Sequence, residues 1–231
     1  MVSIIALIAT LPLVVLFLVL GIAIADSFRK RRQPATFFLM LGFICIGFAY
    51  MSWTVRILLL PDDAGKSDIL IYFQLAYVFN AFAGYFICLF GVSLGIPELL
   101  PKKKWLYALF LIPVVVVLIP ILAMTATLQL KVFTGITDLG PDLTAIPFLA
   151  VGILSLLIPI FAFVHFLREG DKNSFQYRRA QIILIGLVIV FAGLLVDAMK
   201  LTDNIIMVFI KLIFAAGAFI LLYGFKLMKE K

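Results

Sequence analysis

Histidine and cysteine are almost missing from this chain. Its 231 residues contain one His, at 165, and two Cys, at 45 and 88, both inside apolar runs. A structural zinc site needs a cluster of Cys or His ligands at set spacings, so no metal site is expected. Bis-histidine haem is excluded on the same count, and a Ser-His-Asp arrangement has only His165 to draw on. The two Cys read as small apolar packing residues. No cofactor is expected, and no catalytic constellation stands out. Charge is scarce as well. Only 13% of residues are Asp, Glu, Lys or Arg, against about 25% in a soluble domain. So little charge cannot cover a soluble sphere. That excludes a cytosolic globular enzyme, a disordered tail and a nucleic-acid module.

What is present is apolar. Hydrophobic residues make up 65% of the chain, and 23 residues are Phe. A helix needs about 18 or more apolar residues to span a bilayer. Seven such stretches can be marked, at roughly 3–25, 36–60, 69–95, 104–127, 144–167, 178–199 and 204–226. A β-barrel would show short alternating segments, whereas 114–119 reads VVVVLI without a break. The expected fold is all-α: a single polytopic membrane domain over 1–231, made of seven transmembrane helices. Ala23-Ile24-Ala25 resembles a cleavage site, but the first stretch is not expected to be a signal peptide. It has no positive charge before it, its apolar run is too long, and its basic cluster follows the run.

The cations set the orientation. Arg29 to Arg32 follow the first stretch, Lys102 to Lys104 the third, and Arg168, Lys172, Arg178 and Arg179 the fifth, while Lys226, Lys229 and Lys231 close the chain. Those fourteen of the 19 Lys and Arg fall on one side of a seven-span topology. The other linkers carry Lys66, Lys131 and Lys200, one each, and lean acidic through Asp62, Asp63, Asp68, Asp138, Asp142 and Asp203. Positive charge stays inside, so the N-terminus is expected outside and the C-terminus in the cytoplasm. The net charge of +7 then matches anionic lipid headgroups at the inner face, at about 1 kcal/mol per cation near the surface, and no nucleic-acid partner is implied. The longest outer linker, about 128–143, reads as an ordinary loop.

Charges inside spans are costly, by at least about 2.5–3.5 kcal/mol at the bilayer centre. The two cations that remain after the linkers and the tail, Arg56 and Lys211, fall inside spans. With a rise of about 1.5 Å per residue, Arg56 lies one turn below the outer surface and Lys211 roughly 10 Å below it. Trp53 precedes Arg56 on the same face, with Tyr50 a turn further down; Gln74, Tyr77 and Asn80 follow one another down the third span, and Asp197 lies near the outer end of the sixth. Together these residues suggest an outward-facing ligand pocket among spans two, three, six and seven. Arg56 and Lys211 would be its cations, Asp197 a counter-ion, and Trp53, Gln74, Tyr77 and Asn80 its walls. Two cations against one acid suit an anionic ligand. The bland reading is that Arg56 and Lys211 snorkel to headgroups and that Trp53 belongs to an aromatic belt. Gly91 and Gly95 form a GxxxG, and Gly217 lies on a small-residue face, both suited to close helix packing. Glu98 and Asp197 match no known motif of a lipid-modifying enzyme.

Two stretches carry a family resemblance: GFICIGFAYMSW at 42–53 and YRRAQIILIGLVIVFAGLL at 177–195. With seven spans and an outside N-terminus, the chain resembles the seven-helix sensor regions at the N-termini of bacterial and archaeal histidine kinases. The resemblance implies a prokaryotic plasma membrane and detection of a ligand or membrane state. No kinase follows Lys231, so output is expected through a separate membrane or cytoplasmic protein. Microbial rhodopsins also carry a lysine in a seventh helix, with an Asp one turn before it. Here that position is Met207 and the third span holds no acid, so retinal is not expected. The alternatives to a sensor are a non-catalytic subunit of a membrane complex and a small solute transporter.

Overall fold

The computed structural model describes residues 4–123, 129–133, 136–140, 145–199 and 204–227. Seven long helices run through them: α1 (Ile4–Arg31), α2 (Pro34–Leu59), α3 (Lys66–Gly95), α5 (Trp105–Ala123), α6 (Ala145–Glu169), α7 (Phe175–Met199) and α8 (Asn204–Leu222). A four-residue helix, α4 (Leu99–Lys102), precedes α5, and a π-helical turn, Tyr223–Leu227, continues α8.

Local chemistry sets the ends. α1 runs past its apolar stretch into the basic cluster, because Lys and Arg are good helix formers once water can reach them. It stops at Arg32, a non-glycine residue with φ of 52°. The Arg32 N–H donates back to the Phe28 carbonyl at 2.8 Å, which is the left-handed helix stop. Pro34 then opens α2 in its first turn, where a missing N–H costs nothing. α7 opens on Ser174, whose Oγ accepts the Tyr177 N–H at 3.1 Å.

Helices α1, α2, α3, α6, α7 and α8 follow one another round a closed ring, each touching the next and α8 touching α1. α5 lies outside it against α3 and α6. The centre is aromatic: Phe17 packs on Phe214 at 5.0 Å and on Phe43 at 5.9 Å, and Phe214 packs on Tyr50 at 5.6 Å. The outside is apolar too. On α1, Ile8, Leu11, Val15, Val19 and Ile22 are exposed while Leu13, Phe17, Leu20 and Ile24 are buried. Among the described residues, five helices are long and apolar enough to cross a membrane. An apolar stripe facing outward along a helix with an apolar core face belongs in lipid. The fold is an α-helical membrane bundle.

Glycines bring helices close. A Cβ on Gly91 of α3 would lie 2.6 Å from the Pro159 backbone nitrogen on α6, and one on Gly217 of α8 would lie 2.6 Å from Ile189 Cγ2 on α7. Gly95 is looser, with Ala162 Cβ at 3.5 Å. All three contacts lie inside the chain.

One expectation needs correcting. The segment at 128–143 is not a plain loop: β1 (Gln129–Phe133) and β2 (Ile136–Gly140) pair antiparallel, with Phe133 opposite Ile136 and Lys131 opposite Asp138. The pattern was present. Leu130 and Val132 alternate with polar Gln129 and Lys131 before the apolar Phe133, and Leu130 stands opposite Leu139. Residues 134, 135 and 141–144, including Gly135, Pro141 and Asp142, lie outside the described residues, as do Lys200 and Asp203.

Candidate functional site

Of the fourteen clustered cations, the twelve among the described residues mark one end of the bundle as basic; Lys229 and Lys231 lie outside the described residues. Arg56, Asp197 and Lys211 lie in the half away from it, on α2, α7 and α8. Asp197 precedes the end of α7 by two residues, and Lys211 lies seven residues into α8. Helix rise alone separates their backbones, but the long stem of a lysine closes the gap. Lys211 Nζ stands 3.6 Å from Asp197 Oδ1, and the two side chains are only 15% and 16% exposed. Tyr50 of α2 donates its hydroxyl proton to Asp197 Oδ2 at 2.6 Å. Lys211 Nζ also lies 5.8 Å from the centre of the Tyr50 ring, within reach of its π face. One carboxylate therefore faces two donors, and the junction ties three helices together.

Arg56 is fully buried. Its side chain reaches forward over the end of its own helix, and Nη2 donates to the Pro61 carbonyl at 3.4 Å. A cation at that position also suits the negative end of the α2 dipole. Snorkelling to headgroups does not describe a side chain with no exposed surface.

Trp53 and Tyr77 fall into an aromatic group. Phe73 packs on Tyr77 at 4.3 Å and meets Trp53 edge-on at 6.2 Å, with Ala64 and Ile69 beneath. Gln74, half-buried, follows Phe73 on α3. Asn80 lies deeper, and its buried side-chain oxygen has no hydrogen-bond partner among the described residues. The structure thus brings Asp197 to Lys211 and Trp53 to Tyr77, with α2 carrying a member of each group.

The chain finds no match among family models, curated proteins or solved structures.

Two residues gain a part that their sequence positions did not announce. Tyr50 completes the junction; its signal is the helical spacing, one turn below Trp53 on the same face of α2. Arg179 was one cation in a topology count. In the structure its Nε donates to the Gly224 carbonyl at 2.8 Å and its Nη2 to the Phe225 carbonyl at 2.6 Å. This pins the π turn after α8 to the start of α7 and satisfies carbonyls that a helix end leaves open. Lysine has no fork to reach both carbonyls. Arg179→Lys is expected to cost about 1 kcal/mol and to speed amide hydrogen exchange over 223–227, as read by mass spectrometry.

At the basic end, a cavity of about 390 Å³ opens among α1, α2, α3, α6, α7 and the π turn. Among the described residues, no group of three or more His, Cys, Asp or Glu could hold a metal.

Proposed function

We propose that the chain is a receptor-like, non-catalytic protein of the prokaryotic plasma membrane, with seven spans, its N-terminus outside and its C-terminus in the cytoplasm. It takes a small or amphipathic anionic ligand from outside and acts through a separate partner on its basic inner face. The seven long helices and the one-sided cations support the topology. The observation that carries the functional reading is the Tyr50–Asp197–Lys211 junction. A charged pair inside a bundle is a poor device for stability, since apolar residues of similar size often hold a core as well or better. It is a good device for a switch. An anionic ligand would compete with Asp197 for Lys211 and so bias the contact between α8 and α2. The carboxylate of Asp197 would then keep only the Tyr50 hydroxyl.

Protein purified in mild detergent is expected to retain a small or amphipathic molecule visible by native mass spectrometry. Lys211→Met is expected to lose it while running as the same species. Unchanged retention in the variant overturns the outer-pocket reading. Recovery of other membrane subunits in fixed ratio, with nothing bound, favours an accessory subunit instead. A transporter is a further alternative, favoured by the cavity at the basic end, since alternating access opens a site to one side of the membrane at a time. Solute uptake into proteoliposomes would establish it.

A further inference from the structure

We infer that the cavity at the basic end is a binding site for an acidic amphiphile, separate from the Tyr50–Asp197–Lys211 junction. The cavity's volume of about 390 Å³ lies within the usual range for ligand sites, about 300–1,000 Å³. Its lining changes from mouth to floor. The mouth carries Lys30 and Arg179 with Gln33, Thr36 and Gln176, all hydrogen-bond donors. The floor carries Phe90, Phe163 and Ile183, which are buried core residues. Among the described residues no carboxylate lines it. Two cations at a mouth above an apolar floor fit a ligand with a negative head and a hydrocarbon tail.

The backbone supports the head position. Gln33, Ala35 and Thr36 all line the cavity, and they form the first turn of α2. No side chain caps that turn, and the first helical bond there runs from the Phe37 N–H to the Gln33 carbonyl. The N–H groups of Ala35 and Thr36 precede it and have no acceptor within the helix. They lie at the positive end of the helix dipole, where anions are favoured. Lys30 is held on its other side by Asp26 at 3.6 Å, with Lys226 on the same carboxylate. A ligand head would draw Lys30 from an exposed pair worth little in stability.

The head can belong to a soluble acyl anion or to an anionic membrane lipid, and two arms of one experiment separate these sources. In the first, the full chain in neutral phosphatidylcholine nanodiscs is titrated with dodecyl phosphate, with dodecanol and inorganic phosphate as the tail and head alone. In the second, nanodiscs carry a small fraction of phosphatidic acid, and native mass spectrometry counts bound lipid. Saturable binding in either arm, with dodecanol and phosphate each at least tenfold weaker than dodecyl phosphate in the first, is the expected result. Lys30→Glu is expected to weaken binding about tenfold, which is about 1.4 kcal/mol. Thr36→Phe, which fills the mouth, is expected to abolish it. Arg29→Glu alters the same basic cluster at a residue that does not line the cavity, and is expected to leave binding unchanged. Equal losses in Lys30→Glu and Arg29→Glu would mean general attraction to a basic surface and overturn the site. So would binding that survives Thr36→Phe, or no saturable binding in either arm. Lys211→Met is expected to bind dodecyl phosphate normally, so failure here and failure of the outer pocket are told apart.

Discussion

Asp197→Ala is expected to lower unfolding stability by about 2–4 kcal/mol. The range follows from breaking a buried ion pair, about 3–5 kcal/mol in soluble proteins, reduced because polar contacts in membrane bundles are worth less than their burial suggests. The loss comes from what stays behind. Lys211, only 15% exposed, loses its acidic partner, and the Tyr50 hydroxyl loses its acceptor. Two further variants separate these terms. Tyr50→Phe removes one hydrogen bond and is expected to cost about 1 kcal/mol. Asp197→Ala combined with Lys211→Met removes both charges and is expected to recover most of the single-variant loss. Reversible unfolding in mixed micelles, followed by helix content, measures all three. A double variant no more stable than Asp197→Ala alone would show that the pair is not coupled.

Gly91→Leu is expected to be at least as damaging, costing about 3 kcal/mol or more. Most tight glycine contacts in a bundle are with flexible side-chain tips that can turn aside. At Gly91 the neighbours of an added Cβ include, besides Ile158 Cγ2 at 2.7 Å, the backbone nitrogen of Pro159 at 2.6 Å and the backbone carbon of Ile158 at 2.9 Å. Backbone cannot rotate away, so α3 and α6 must separate, and the ring opens between them. Gly95→Ala serves as the control. Its nearest neighbour is Ala162 Cβ at 3.5 Å, an ordinary contact, and Gly95 is the last residue of α3, where alanine removes at most part of the about 1 kcal/mol that glycine costs in a helix interior. Gly95→Ala is therefore expected to unfold at the same midpoint as the wild type or above it. The two glycines sit one turn apart in a single GxxxG, yet their expected effects have opposite signs.

That contrast shows where the sequence is readable. A span announces itself because about twenty consecutive apolar residues have few other uses, and the stretch at 69–95 nearly coincides with α3 (Lys66–Gly95). The spacing of Gly91 and Gly95 shows that α3 can be approached closely. It does not show that Pro159 is what approaches. The polar residues follow the same rule. Charge and depth singled out Lys211 and Asp197, but the partnership with Tyr50 crosses 147 positions of chain and depends on how α2, α7 and α8 are arranged. Arg56 was legible as unusual and illegible in direction, because its reach to Pro61 depends on how α2 ends. The cavity draws on six elements, none of which carries a recognisable motif. The pairing of 129–133 with 136–140 is hard to read in the sequence because its alternation is short beside the apolar runs on either side.

The Arg179 contacts and the Asp197–Lys211 pair lie at opposite ends of the same two helices. One holds the start of α7 to the turn after α8; the other holds the end of α7 to the first half of α8. Two rods lashed together near both ends behave as a plank. They can tilt as one body, but they cannot splay like scissors while both lashings hold. Releasing the Lys211 lashing alone would leave the two helices tied at Arg179 and packed through Gly217 against Ile189.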